Sequence, residues 1–175
     1  MTGASIERRH LDFEVRAAGR RLEGYAATFG TEARIADFTE VILPGAFRGF
    51  LSPSRDVLAL VDHDPGKVLA RARSGTLRLA EDPRGLSFSL DLPDTQAGRD
   101  VLALAERGDL GGMSFGFTVP KDGERWTGKR RELRSIILHE ISVVSAWPAY
   151  SGTSVQARGA TPRLDHARRY LETLP

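Results

Sequence analysis

Strict alternation of apolar and polar positions is clearest at residues 86–92. There Leu86, Phe88, Leu90 and Leu92 interleave with Ser87, Ser89 and Asp91, which predicts a half-buried strand. Leu11, Phe13 and Val15 alternate in the same way, Gly19 offers a turn, and residues 22–29 continue extended, so residues 8–29 read as a hairpin. Residues 57–61 form a short apolar strand that ends at the turn-rich Asp62-His63-Asp64-Pro65-Gly66. Residues 67–73 and 76–80 suggest a second hairpin around Ser74-Gly75. Pro44-Gly45-Ala46-Phe47 is suited to open a short helix with Pro44 at its first position. Helical spacing is clear only at Ala97, Val101, Leu104 and Ala105, with Asp94 or Thr95 to cap the start and Gly108 to end it.

Residues 112–119 then alternate: Met113, Phe115, Phe117 and Val119 on one face, Ser114, Gly116 and Thr118 on the other. A charged loop passes through Asp122-Gly123-Glu124, and a long strand is expected from about 133 to 145. Pro148 to Gly152 breaks the pattern, and residues 162–174 read as an amphipathic helix or a tail. Many short strands with few helices predict a mainly β fold, a barrel or sandwich with peripheral α helices. We expect one domain over residues 1–160 and a C-terminal helix or tail over 161–175.

Composition narrows the functional classes. The chain of 175 residues is 41% hydrophobic and 27% charged, as in ordinary globular domains. Lys and Arg number 25 against 23 Asp and Glu, so a formal charge of +2 gives no electrostatic case for nucleic acid. With no cysteine, disulfides, thiolate catalysis and Cys-ligated zinc are excluded. No signal peptide is visible, and no apolar run approaches the ~20 residues of a membrane span.

Three segments carry candidate chemistry. Gly112-Met113-Ser114-Phe115-Gly116 spells G-x-S-x-G, but a strand follows the serine where a nucleophile elbow needs a helix. Ser114 nevertheless faces away from the apolar set, with Gly112 and Gly116 leaving space for a substrate backbone. His63, at a strand end beside Asp62 and Asp64, supplies a base that titrates in the useful range. A third group, to orient the imidazole, falls in Leu138-His139-Glu140-Ile141-Ser142, where both Glu140 and His139 are candidates. Regular alternation puts Glu140 on a face with Ile136, Leu138 and Ser142, where an unpaired carboxylate is costly; Arg134 or Arg131 is an alternative structural partner. Asp62, His63, Asp64, His139 and Glu140 make a weak metal set, lacking an H-E-x-x-H helix or a dense His cluster.

Taken in order, Gly24-Tyr25-Ala26 with Phe29, Pro44-Gly45-Ala46-Phe47, Asp62-His63, residues 111–117, residues 140–144 and Pro148-Ala149-Tyr150 resemble the prohead (capsid maturation) proteases of HK97-type tailed phages. The resemblance runs from about residue 22 to residue 150. It implies an assemblin-like closed or partly open β-barrel and a serine endopeptidase distantly related to the herpesvirus assemblins. Carried over position by position, His63 is the base, Ser114 the nucleophile and Glu140 the third residue, since phage members typically carry a carboxylate there. The herpesvirus relatives use a second histidine, which keeps His139 as the alternative. Backbone donors for the oxyanion are sought in residues 145–151.

The resemblance further implies, as partners, the major capsid protein and its scaffolding segment, and often the protease itself, so self-association is allowed. No direct nucleic-acid or membrane partner and no cofactor or metal is expected. The implied setting is the host bacterial cytoplasm, inside the assembling prohead of a phage, prophage or domesticated phage-like particle. A non-catalytic β-barrel that acts as a capsid or scaffold interaction module is the competing expectation.

Overall fold

The computed structural model describes residues 5–11, 16–51 and 55–145. Strands lie at Glu7–Leu11 (β1), Arg16–Ala18 (β2), Arg21–Thr28 (β3), Glu32–Ile35 (β4), Phe38–Ile42 (β5), Leu58–Val61 (β6), Asp64–Arg71 (β7), Leu77–Glu81 (β8) and Gly85–Asp91 (β9). The helix Gln96–Arg107 (α1) follows, then Gly112–Thr118 (β10), Glu124–Thr127 (β11), Arg130–Leu133 (β12) and Ile137–Val144 (β13).

These strands form three sheets, ordered β1-β10-β13-β6-β7, β11-β12-β5-β4 and β2-β3-β9-β8. The fold is therefore mainly β with a single α-helix among the described residues. None of the three sheets closes on itself there, so the closed form of the expected barrel is not found. The expected segment 161–175 lies outside the described residues.

One apolar core serves all three sheets. Met113, Phe115 and Phe117 of β10 and Ile141 and Val143 of β13 are fully or almost fully buried against Phe47, Leu22, Leu86 and Leu90. Phe47 meets Phe115 edge-on at 6.0 Å, and Phe115 stacks with Phe117 at 5.3 Å. The alternation read at residues 86–92 holds: Leu86, Phe88 and Leu90 are buried. Thr95 caps α1 by accepting the Gly98 N–H at 3.2 Å, and Gly108 ends the helix at φ 75°. Leu102, with Ala97 and Ala105, packs on the core beside Val101, a place the helical spacing gave to Leu104.

Both expected hairpins are altered by long-range pairing. The first strand leaves the expected hairpin: β2 and β3 pair around Gly19, but β1 crosses to the outer edge of β10. The strands flanking Ser74-Gly75 do not pair, since β7 and β8 belong to different sheets that the turn joins. The long strand expected from about residue 133 to 145 is β13, which starts later, at Ile137, because Leu133 closes β12 in another sheet. Pro44-Gly45-Ala46-Phe47 forms a turn leading into a short 3-10 segment, Arg48–Phe50. The backbone N–H groups of Gly45 and Phe47 donate to the Glu81 carboxylate at 2.8 and 3.1 Å, which fixes that turn.

A largely buried ion cluster fastens β1 to the second sheet. The Arg9 guanidinium donates to both Glu40 carboxylate oxygens at 2.6 and 2.8 Å. Arg131 donates to Glu7 at 2.6 and 2.8 Å, to Glu40 at 2.9 Å and to Glu124 at 2.5 Å. Burial works against the Arg131 charge, but Glu7, Glu124 and Glu40 outweigh it and hold the guanidinium above its ordinary value. This cluster explains why charged segments such as Arg130-Arg131-Glu132 form strands without apolar alternation.

Candidate active site

His63 is presented by a tight turn. β6 and β7 pair up to Val61 and Asp64, leaving Asp62 and His63 as the two central residues. Both have positive φ, 50° and 60°, as a two-residue I′ hairpin turn demands. Asp and His are among the few side chains that tolerate this region. The strain, about 1 kcal/mol or more per residue, is offset by ties to β13. The Asp62 N–H donates to the Val143 carbonyl at 2.9 Å, and Asp62 Oδ1 accepts the Ser145 N–H at 2.8 Å. The Ser145 hydroxyl also donates to Asp62 Oδ2. The expected turn over residues 62–66 thus contracts to residues 62 and 63, and Asp64-Pro65-Gly66 opens β7.

Glu140 reaches the site through a bulge. Gly116 of β10 pairs with Glu140, yet Phe117 pairs with Leu138, so His139 is an extra residue in β13. Leu138 and Ile141 both join the core as a result, and Glu140 lies on the opposite face with Ser142. Regular alternation, which grouped Glu140 with Leu138 and Ile136, is corrected by this bulge; both of those residues are core. Glu140 Oε1 lies 2.6 Å from His63 Nδ1, and Oε2 accepts the Ser142 hydroxyl at 2.6 Å. The Arg8 guanidinium approaches Oε1 at 3.7 Å from an exposed position. Arg131 and Arg134, the expected structural partners, bind other carboxylates.

Ser114 shares that face. Its cross-strand partner on β13 is Ser142, and directly paired residues project to the same side of a sheet. Ser142 Oγ in turn accepts the His63 N–H at 3.2 Å. The register therefore gathers Ser114, Ser142, Glu140 and His63 on one surface of the five-stranded sheet. Ser114 is 2% exposed, and its hydroxyl donates to the Arg9 carbonyl of β1 at 2.8 Å rather than to the imidazole. His10 lies on β1 directly opposite Ser114.

His139 Nε2 lies 2.9 Å from Thr118 Oγ1 and does not meet His63. Burial lowers its tendency to protonate, with Glu140 acting against that effect. Gly116 is not open space for a substrate, because the Glu140 carboxylate fills it: a Cβ there would lie 2.5 Å from Oε1. Of the residues sought for an oxyanion hole, Ser145 has its N–H committed to Asp62, and 146–151 lie outside the described residues. Among the described residues no group of three or more His, Cys, Asp or Glu side chains is placed to hold a metal ion. No helix there is long and apolar enough to cross a membrane.

Sequence reasoning missed Ser142, Arg8 and the Asp62–Ser145 clasp. Ser142 was legible in principle, since it stands two residues after Glu140 on the same strand face. Arg8 was not, because nothing local says that β1 pairs with the strand of Ser114.

One face of the five-stranded sheet thus bears a serine and, beside a bulged strand, a histidine paired with a carboxylate. Residues 5–167 match the Caudovirus prohead serine protease family, and the chain belongs to that family. It is 31% identical over 149 residues to the prohead protease of Enterobacteria phage HK97, an alignment covering 83% of this chain and 63% of that protein's length. In three dimensions it is similar to the bacteriophage T4 capsid assembly protease, gp21, with a TM-score of 0.52 at 10% identity, covering 82% of this chain and 96% of the other. That similarity is one of fold.

Proposed function

We propose that the chain is a serine endopeptidase that cleaves capsid-assembly proteins during prohead maturation, with His63, Ser114 and Glu140 as its catalytic residues. The observation that carries this reading is the 2.6 Å contact of His63 Nδ1 with Glu140 on the sheet face that also bears Ser114. With Nδ1 engaged, Nε2 is the ring nitrogen left to receive the Ser114 proton. The hydroxyl leaves the Arg9 carbonyl, attacks a peptide carbonyl and forms an acyl-enzyme, and the imidazolium gives its proton to the departing amine. Water then repeats the sequence and releases Ser114. Glu140 holds the imidazole in one orientation and stabilises its positive form without itself taking a proton.

The substrates we infer are the major capsid protein, through its scaffolding segment, and the protease itself; family membership and the HK97 relative support this. The setting follows from it, the prohead assembling in the bacterial cytoplasm, with no cofactor. The three sheets around one core are read as a partly open form of an assemblin-type barrel, with residues 1–160 as its domain.

The low exposure of Ser114 and its bond to Arg9 favour one competing reading, a non-catalytic module that binds capsid or scaffold. A serine-directed phosphonate separates the two. A covalent adduct mapped to Ser114, and absent in His63→Ala, supports the protease. Equal modification of Ser114 with and without His63 contradicts an activated nucleophile.

A further inference from the structure

Ser142 spends its whole hydroxyl inside the site. It donates to Glu140 Oε2 at 2.6 Å and accepts the His63 N–H at 3.2 Å. It is fully buried, at 0% exposure, and so is not itself a nucleophile open to substrate. Its backbone lies between the partners it links, paired with Ser114 on one side and with Leu60 of β6 on the other.

Both groups it holds need holding. The carboxylate follows the bulge at His139, and its cross-strand partner Gly116 has no side chain to fix its direction. The His63 N–H belongs to a turn in a strained backbone region, and a buried N–H without an acceptor is costly. One hydroxyl satisfies both. It turns Glu140 so that Oε1 faces Nδ1, and it ties the histidine's backbone to the strand that carries the carboxylate. An alanine here would keep the sheet but free both groups.

We propose that Ser142 is a positioning residue that locks the His63–Glu140 pair; the inference rests on the protease reading for its effect on rate, but not for its effect on the pair. The short Nδ1–H to carboxylate bond is charge-assisted and should give a far-downfield proton resonance in the intact chain. That resonance should be absent in Glu140→Gln.

The test compares the full chain with Ser142→Ala and with Ser87→Ala. Ser87 lies on β9, where its hydroxyl donates to the Ala80 carbonyl, remote from the site. The expected result for Ser142→Ala is loss of the downfield resonance and a fall in kcat of about 10- to 100-fold, the scale of an ångström-sized misplacement. KM should stay within about threefold. Ser87→Ala should retain both the resonance and kcat. Persistence of the resonance in folded Ser142→Ala, or its loss with kcat unchanged, overturns the proposal. If the intact chain cleaves nothing, the protease reading fails by itself, and the resonance comparison still decides the role of Ser142.

Discussion

The Glu140 carboxylate lies where a side chain at Gly116 would be, with Oε1 2.5 Å from the position of a Cβ on that glycine. Residues 116 and 140 are direct cross-strand partners, so neither strand can yield without disturbing the ladder. Gly116→Ala should therefore displace Glu140 from His63. We expect a destabilisation of about 1–3 kcal/mol from overpacking, measured by chemical denaturation. We also expect a loss of proteolysis larger than that destabilisation explains. Full activity in a folded Gly116→Ala chain would show that the carboxylate's position is not critical.

Ser114→Ala should leave the fold intact and abolish cleavage. The hydroxyl makes a single bond, to the Arg9 carbonyl on β1, and the apolar face of β10 is untouched. His63→Ala should fall nearly as low, and the double variant should be little worse than either, because groups that act as a unit are not additive. Single-turnover assays on the three variants check this; additive losses would contradict it.

Glu140→Gln should lower kcat by as much as about 10⁴-fold, as expected when the imidazole's acceptor is replaced by a group that also donates. His139→Asn should stay within about tenfold of the unaltered chain, since His139 contacts Thr118 rather than His63. The reverse order of effects would assign the third role to His139.

Stability should respond to acid in two steps. His139 is held below its ordinary value of 6.5, first by burial. The unfolded chain therefore takes up a proton before the folded one does, and stability falls as pH drops below about 6.5. That component should vanish in His139→Asn. Glu7 behaves in the same sense at lower pH. Burial alone would raise it, but Arg131 and Arg9 hold it below 4.5, so its stabilising contribution is present above that value and is lost as pH falls further. Denaturation midpoints across pH check both steps.

Arg131→Ala should destabilise by about 3–5 kcal/mol, the usual result of removing one member of a buried ion pair. It would leave Glu40, 2% exposed, and Glu7 with Arg9 alone and would release Glu124. Denaturation measures the loss, and a change below about 1 kcal/mol would mean the cluster is solvated like a surface pair.

The legible parts of the fold were those that apolar pattern determines. β9, the face of β10 and the caps of α1 follow from local alternation and from Thr95 and Gly108. What stayed hidden was set by long-range charge and by irregularity. The β11–β12 hairpin reads as a charged loop because ion pairs, not apolar alternation, hold Arg131 and Glu124 there. The bulge at His139 cannot be read from alternation, since Ile137, Leu138 and Ile141 suit either face. His63, Ser114 and Glu140 were visible as chemistry in the sequence. Their grouping on one face depends on the parallel pairing of β13 with β6 and on the turn at Asp62-His63, which are tertiary facts.

The most direct test of the central claim is to express the major capsid protein of the same particle, scaffolding segment included, with either the intact chain or Ser114→Ala, and to map new termini by mass spectrometry. A defined new N-terminus on the capsid protein is expected with the intact chain and none with the variant. The same termini in both would contradict that claim.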